Sequence, residues 1–229
     1  MTVQAVILAA GMGTRLGKPW PKPLTPLSDG RTIMRQQMDN IFAAFDDVRV
    51  TTVIGFKLEL IIEAFPDVAY VYNENYDQTN TNRSLLKALR QSANGGVVWM
   101  NGDVVFDPQV LTRAQELIDS DQSFICVNTA VVGEEEVKYT VDEEGFVKEL
   151  SKTVENALGE AVGINFVAAK DKARLVERLA ECADNDYFER GIELMVEKDG
   201  AKVVPFDIRD LFAVEVDFEE DLSRANQHL

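Results

Sequence analysis

The sequence is poor in the residues from which several common active sites are built. Its 229 residues include a single histidine, His228. It is the penultimate residue, in an end expected to be frayed, which argues against a serine–histidine triad and against a histidine metal site. Two cysteines, Cys126 and Cys182, lie far apart without metal-type spacing. Both thiols are therefore expected to be free, as in a reducing compartment. Positive charge is scarce: 23 Lys and Arg against 39 Asp and Glu give a formal net charge of −16. Nucleic acid is not an expected partner, because phosphate backbones are held by clustered lysine and arginine. No apolar run approaches the roughly 18 residues of a membrane span, so membrane insertion is not expected either. The opening AVILAA has no basic stretch before it and runs into a glycine loop. It reads as a buried strand and not as a signal peptide, and the expected location is cytoplasmic. Acidic runs such as Glu134–Glu136 read as solvated faces and receive no function.

What is present is an alternation of buried strands and amphipathic helices. Residues 3–9, 48–54, 68–72 and 97–100 are continuous apolar runs, as expected for strands buried on both faces. Between them, residues 32–44, 57–65 and 83–89 are amphipathic, and Pro108 opens a helix predicted over 108–118. Residues 124–128 add a strand. Strand–helix–strand units close right-handed, so a mostly parallel sheet is expected. The pattern then changes. Residues 138–141 and 146–150 alternate around DEEG, a hairpin signal. Residues 162–168, 203–206 and 213–216 read as strands, and 172–183, 187–197 and 218–227 as helices. No repeat or linker interrupts the chain, and its length suits one large α/β domain over residues 1–229.

The densest signal is LAAGMGTRLGKPWPKPL, residues 8–24, directly after the first strand. Glycines let backbone N–H groups form an anion-binding concavity, and the basic residues suggest phosphate. Two phosphate motifs fail. A P-loop needs a glycine where Met12 stands before Gly17-Lys18, and a Ser or Thr where Pro19 stands. The dinucleotide fingerprint needs a small residue where Leu16 stands, and an acidic residue at the end of the second strand, which reads VIGF.

LAAGMGTRL followed by PKPL instead resembles the signature of the nucleotidyltransferase (NTP transferase) superfamily, which joins a nucleoside triphosphate to a phosphorylated small molecule. NENYDQTNTNRSLLKAL, NGDVVFD, VKELSK, GEAVGINFVA and FAVEVDFEEDLSRA follow in the order and rough spacing of its phosphocholine cytidylyltransferase-like branch. The resemblance spans essentially the whole chain. Only GKPW separates TRL from PKPL, fewer residues than in many sugar-nucleotide relatives, so a tightly closed loop is expected. The resemblance implies an α/β fold: a Rossmann-like, mostly parallel (mixed) sheet flanked by helices, with a small hairpin-containing acceptor lobe. It divides the chain into a nucleotide-binding half, residues 1–130, and an acceptor-binding, metal-completing half, residues 131–229.

The implied reaction is Mg²⁺-dependent transfer of CMP from CTP to a small phosphorylated or phosphonate acceptor, with pyrophosphate released. Two anions must meet, so the site has to neutralise charge and align the reacting oxygens. The family motif gives that work to Arg15 and Lys22, which can reach the triphosphate, and to Lys152, which can neutralise the acceptor phosphate. Lys18 has no matched role and reads as a surface residue. Mg²⁺ prefers oxygen ligands, and Asp103 and Asp217 hold the matched positions at strand ends. The resemblance places the nucleotide against Leu8, Ala9, Ala10, Gly11, Met12, Gly13 and Thr14, against Asn80, Asn82 and Ser84, and against Asn101 and Gly102. Asparagines before a helix are also ordinary caps, so Asn80 and Asn82 carry a structural reading as well. The acceptor falls to Lys152, Glu160, Tyr187, Glu189, Glu193 and Glu215. Glu189 and Glu193 are four apart, hence on one helical face. Beside Tyr187 they would suit a cationic head such as choline or aminoethyl. Val137 and Lys138 stand where the choline-specific branch is expected to carry a tryptophan. The expected partners are a nucleoside triphosphate, CTP favoured, and a small phosphorylated acceptor; a homodimer is left open. Two alternatives remain at this level: a sugar-1-phosphate nucleotidyltransferase using UTP or dTTP, and a catalytically silent nucleotide sensor.

Overall fold

A computed structural model describes residues 2–130, 132–133 and 136–229. Glu134 and Glu135, part of the acidic run noted above, lie outside the described residues. The central strand is β1 (Val3–Ala9), buried beyond its first residue. It pairs in parallel with β2 (Val48–Ile54) on one side and β4 (Val97–Asn101) on the other, and β3 (Ala69–Tyr72) extends the sheet beyond β2. Past β4 the direction changes. β9 (Gly159–Val167) runs antiparallel to both β4 and β6 (Phe124–Asn128), and β10 (Val204–Asp207) pairs in parallel with β6 at the edge. The sheet is thus mixed, ordered β10-β6-β9-β4-β1-β2-β3, with both halves of the chain contributing strands. The expected hairpin is β7 (Lys138–Val141) with β8 (Val147–Ser151), attached to the main sheet through β9.

Helices α1 (Ile33–Ala44), α2 (Leu58–Ala64), α3 (Thr81–Gln91), α4 (Gln109–Asp119), α5 (Ala169–Glu181), α6 (Phe188–Asp199) and α7 (Glu219–Asn226) complete the fold. Because side chains alternate across a strand, β1 feeds two cores. Ile7 packs with Met34, Met38 and Ile41 of α1. Val6 and Leu8 pack with Leu85 and Leu89 of α3 and Phe188 of α6 on the other face. Each fully buried aliphatic side chain contributes about 1.5–3 kcal/mol, so the two layers fix the strand from both sides.

Three features differ from the sequence reading. Helix α5 begins at Ala169, not Lys172, because a cap arrives from outside the segment: Asp121 accepts from Ala169 N at 2.6 Å. His228 is not frayed; its ring stacks on Phe212 with centroids 3.9 Å apart and planes 11° from parallel. Residues 104–106 form an unexpected short strand, β5 (Val104–Phe106), antiparallel to β11 (Ala213–Glu215). That ribbon matters for the site, because Val216 N donates to Asp103 O at 2.9 Å and so brings the ends of β4 and β11 side by side. Both cysteines are buried and free, and burial pushes the Cys126 thiol far above its ordinary value. Among the described residues no helix is long and apolar enough to cross a membrane.

Candidate active site at the carboxyl ends of the central strands

The glycine loop leaves β1 at the carboxyl edge of the sheet, where open α/β folds bind ligands. Gly13 takes φ +59 ahead of a single 3₁₀ turn, Thr14–Leu16, and any Cβ there would lie 3.1 Å from the Cβ of Lys22. The loop therefore folds back against a second 3₁₀ turn, Lys22–Leu24, as its short GKPW connection requires. Gly102 does the same for the neighbouring strand. A Cβ on it would be 2.7 Å from Leu8 O, to which its own N–H donates at 2.9 Å. The result is a concavity of about 180 Å³ lined by Leu8, Ala9, Gly11, Thr14, Arg15 and Lys22, with Gly13, Gly102 and Asp103 at its border.

Charge converges at its floor. The Lys22 ammonium lies 2.7 Å from Asp103 Oδ2 and 2.5 Å from Asp217 Oδ1, and Arg15 pairs with the other Asp217 oxygen at 2.7 Å. Burial works against the Lys22 charge, but Asp103 and Asp217 outweigh it and raise its proton affinity above that of an ordinary lysine. Residues separated by nearly the length of the chain thus meet at one cationic point. Two carboxylates directed at one point suit a hard cation, whose remaining ligands would be phosphate oxygens and water. Among the described residues no group of three or more His, Cys, Asp or Glu is arranged to hold a metal alone.

Next to this floor lies a narrow recess of about 60 Å³ between β1 and the start of α3, lined by Ala10, Asn73, Tyr76, Thr79, Asn80 and Ser84 among others. Asn80 caps α3, accepting from Thr81 N at 2.8 Å, while its side chain remains at the recess. Ser84 accepts from Asn73 Nδ2 at 3.1 Å. Asn82 is elsewhere: fully buried, it donates to Ala183 O at 2.7 Å and accepts from Arg83 N at 2.6 Å. Met12 is exposed and borders none of these cavities.

On the other side a cleft of about 250 Å³ receives Asn101, Lys152, Tyr187, Glu189 and Glu215. Lys152 lies 4.9 Å above the Tyr187 ring. Glu189 is 7% exposed, and its Oε2 has no hydrogen-bond partner. Burial pushes its carboxyl up to about 7, with Lys152 opposing the rise. Glu215 accepts from Asn101 Nδ2 at 3.0 Å; desolvation, then the Asp103 carboxylate, hold its proton well above the usual carboxylate range. Glu193 does not reach the cleft. One turn after Glu189 on α6, it accepts from Leu150 N at 3.3 Å and pairs with Arg190. Glu160 faces an adjoining cavity behind Glu136 and Asp217, where it accepts from Gly133 N at 2.8 Å.

The sequence pattern of the MobA-like NTP transferase domain matches residues 5–192. This chain belongs to that family. It is similar to the CMP-5'-(3-aminopropyl)phosphonate synthase of Streptomyces rubellomurinus, 39% identical over 120 residues that cover 48% of this chain and 19% of that protein. The chain spans about a fifth of the length of the curated relatives it matches. Its fold is like that of the inositol-1-phosphate CTP transferase from T. maritima, with a TM-score of 0.78 at 16% identity over 100% of this chain and 98% of the other. The CTP:phosphocholine cytidylyltransferase from Streptococcus pneumoniae follows, with a TM-score of 0.76 at 17% identity over 99% of each chain.

In this NTP transferase the structure brings Arg15, Lys22, Asp103 and Asp217 to one floor, and leaves Asn82, Glu193 and Met12 outside the cavities. Lys18 lines none of these cavities and pairs with Glu219 at 2.5 Å. Sequence reasoning missed Asn73, Tyr76, Thr79 and Thr81 at the recess, and Glu136 at the cleft. Burial raises the Glu136 carboxyl, with Glu160 and Asp217 adding to it and Lys152 opposing. Nothing in the sequence around Glu136 distinguishes it from its solvated acidic neighbours. A polar run directly after the third strand, NENYDQTNTN, was the available signal for the recess.

Proposed function

We propose that the chain is a cytidylyltransferase that moves CMP from CTP to a small phosphorylated or phosphonate acceptor. The observation that carries this reading is the convergence of Lys22 and Arg15 on Asp103 and Asp217, beside a cleft that contains Lys152. In the reaction an acceptor oxygen attacks the α-phosphorus, the bond from that phosphorus to the oxygen bridging the β-phosphorus breaks, and pyrophosphate leaves. Lys22 and Arg15 stand ready to exchange carboxylate partners for triphosphate oxygens, which would free Asp103 and Asp217 as oxygen ligands. A Mg²⁺ ion held there would neutralise developing charge on the phosphates. Lys152 offsets the charge of the incoming acceptor anion. Residues 1–130 supply the nucleotide side in this reading, and residues 131–229 supply the acceptor side and Asp217.

A one-ring base suits the narrow recess better than a two-ring base. The Streptomyces relative named for a CMP-phosphonate product supports CTP over UTP and a phosphonate or phosphate acceptor. A panel of CTP, UTP, dTTP, ATP and GTP against phosphocholine, 2-aminoethylphosphonate, polyol phosphates and sugar 1-phosphates tests the reading through pyrophosphate release. Release with CTP and a non-sugar acceptor is expected. Release confined to UTP or dTTP with a sugar 1-phosphate would replace it with the sugar-nucleotide reading, and binding of triphosphate without release from any pair would leave a nucleotide sensor.

A further inference from the structure

Asp103 stands on the short turn between β4 and β5, and that turn is gripped from behind by helix α1. Backbone bonds hold it on two sides: Gly102 N donates to Leu8 O and Val216 N donates to Asp103 O, each at 2.9 Å. A side chain holds it on the third. Gln37 of α1 donates from Nε2 to Asn101 O and to Val104 O, each at 2.8 Å. One amide group thus serves the carbonyls on both sides of Gly102 and Asp103. Gln37 is fully buried and lines none of the cavities around the site.

Its neighbours on α1 show why this amide is unlike the others. Ile33, Met34, Met38 and Ile41 are buried and apolar, so a polar side chain among them is costly unless its donors are used. Gln37 uses both N–H groups and leaves Oε1 without a partner. Its orientation is fixed, because an oxygen turned toward the two carbonyls would meet only lone pairs. Gln36 and Asn40 are also buried, and both donate to Phe106 O, at 2.7 and 2.8 Å. Loss of either leaves the other in place. Among the described residues no other side chain donates to Asn101 O or Val104 O, so Gln37 has no such substitute.

We propose that Gln37 is a positioning residue for the cation site: by pinning Asn101 O and Val104 O it sets the direction of the Asp103 carboxylate relative to that of Asp217, without touching substrate. The proposal rests on the reading of Asp103 and Asp217 as the oxygen ligands of a divalent cation. The two carboxylates are held independently. Asp217 is fixed at the start of α7, where its own N and that of Phe218 donate to Asp221 Oδ2 at 3.1 and 2.8 Å. Asp103 depends on the turn, and the turn on α1. Without Gln37 the two inward carbonyls lose their side-chain donor and their peptide planes are free to rotate. A shift of about 1 Å in a ligand is enough to lower turnover by as much as about 100-fold.

A matched pair of variants tests the proposal. Gln37→Met keeps the length of the side chain and removes both donors, and Gln36→Met makes the same change one residue earlier, where Asn40 continues to serve Phe106 O. With CTP, Mg²⁺ and the acceptor selected by the pyrophosphate-release panel, Gln37→Met is expected to lower kcat about 10-fold and to leave the acceptor KM within about twofold. Mn²⁺ binding to the complex with a non-hydrolysable CTP analogue, read by electron paramagnetic resonance, should weaken about 10-fold as well. Gln36→Met should stay within about twofold of the parent in all three. Equal effects from the two variants, or an unchanged Mn²⁺ affinity in Gln37→Met, would overturn the proposal. Where Gln37→Met does not fold, Gln37→Asn carries the same expectations, since its amide is one methylene too short to span both carbonyls. If the parent binds no Mn²⁺ and releases no pyrophosphate, the transfer reading fails by itself. Amide hydrogen exchange over residues 101–104 without ligand then decides the positioning: faster exchange in the Gln37 variant than in Gln36→Met supports it, and equal exchange overturns it.

Discussion

The two sides of the cleft are built differently. The side proposed for the nucleotide consists of backbone and capped ends: β1 running into Gly11 and Gly13, the close crossing at Gly102, and the start of α3 with Asn80 as its cap. Its polar side chains are satisfied, as in Ser84 with Asn73. The side proposed for the acceptor consists of charged side chains on α6, on β11 and on the loops flanking the β7–β8 hairpin, with Glu189 unpaired at one oxygen and the proton affinities of Glu136, Glu189 and Glu215 raised. In the proposed reading, preformed backbone donors would bind a constant feature, the phosphates, at little ordering cost. Side-chain carboxylates discriminate among ligands, and the fold bears their desolvation when the ligand is absent.

The floor joining the two sides should give the largest effects. Asp103→Asn and Asp217→Asn each remove charge from the point where Lys22 now sits, and each is expected to lower kcat/KM by at least about 100-fold with folding nearly intact. Titrating activity against Mg²⁺ checks this; a variant that keeps both the parent's activity and the parent's Mg²⁺ requirement would remove its residue from the cation site and weaken the contrast between the two sides.

On the acceptor side the contrast predicts a trade of stability for recognition. The Glu189 carboxyl is raised from 4.5 to about 7 in the folded protein. Its contribution to stability is therefore full below pH 4.5, where both states are protonated, and is lost as pH rises through about 7. The other charged groups that line the same cleft are Arg15, Asp103, Glu136, Lys152, Glu215 and Asp217. Glu189→Gln should match the parent near pH 4 and exceed it by about 2–3 kcal/mol at pH 8. Denaturant unfolding at the two pH values reads the difference. A gap that does not widen with pH would mean that Glu189 carries no such cost.

On the nucleotide side Arg15 offers a smaller test. Its side chain is 52% exposed and pairs with one carboxylate, whereas Lys22 is buried between two. Arg15→Ala should raise the KM for CTP by about 10-fold and change the acceptor KM less, as fits loss of one solvent-screened contact. An effect confined to the acceptor KM would move Arg15 to the other side of the cleft.

This difference in construction also decides what could be read from the sequence. The strands at 3–9 and 48–54, the loop between Gly11 and Lys22 and the hairpin near Gly145 follow local rules of periodicity and turn chemistry, and all three are found where those rules put them. The convergence of Asp103 and Asp217 depends on pairing between β5 and β11, and the three residues of β5 are too few to show a period. Glu136 and Glu193 show the same limit in opposite directions. The first stands in an acidic run yet enters the cleft; the second shares a helical face with Glu189 yet is taken up by Leu150 N and Arg190. A shared face places residues within about one turn of each other, and the partners that neighbouring elements offer decide which of them enters the cleft.

Asn82 offers the finest test, because it sits in the nucleotide-side motif while its contacts are purely structural. It is fully buried, and its amide joins the first turn of α3 to the chain after α5 through Arg83 N and Ala183 O. Asn82→Ala would remove the two hydrogen bonds through which its amide joins Arg83 N to Ala183 O, leaving those groups only their backbone bonds to Asn80 O and from Asp186 N. The expected loss is about 1–2 kcal/mol of folding stability, with the KM for CTP unchanged within about twofold. Asn80→Ala makes the matched comparison: its cap to Thr81 N is lost at a cost of about 1 kcal/mol, but its side chain borders the recess, so the KM for CTP should rise as well. Thermal unfolding and CTP saturation curves on the two variants separate the roles. If Asn82→Ala raised the KM for CTP more than Asn80→Ala did, the nucleotide would have to contact the far side of α3, and the division between backbone-built and side-chain-built surfaces would not hold.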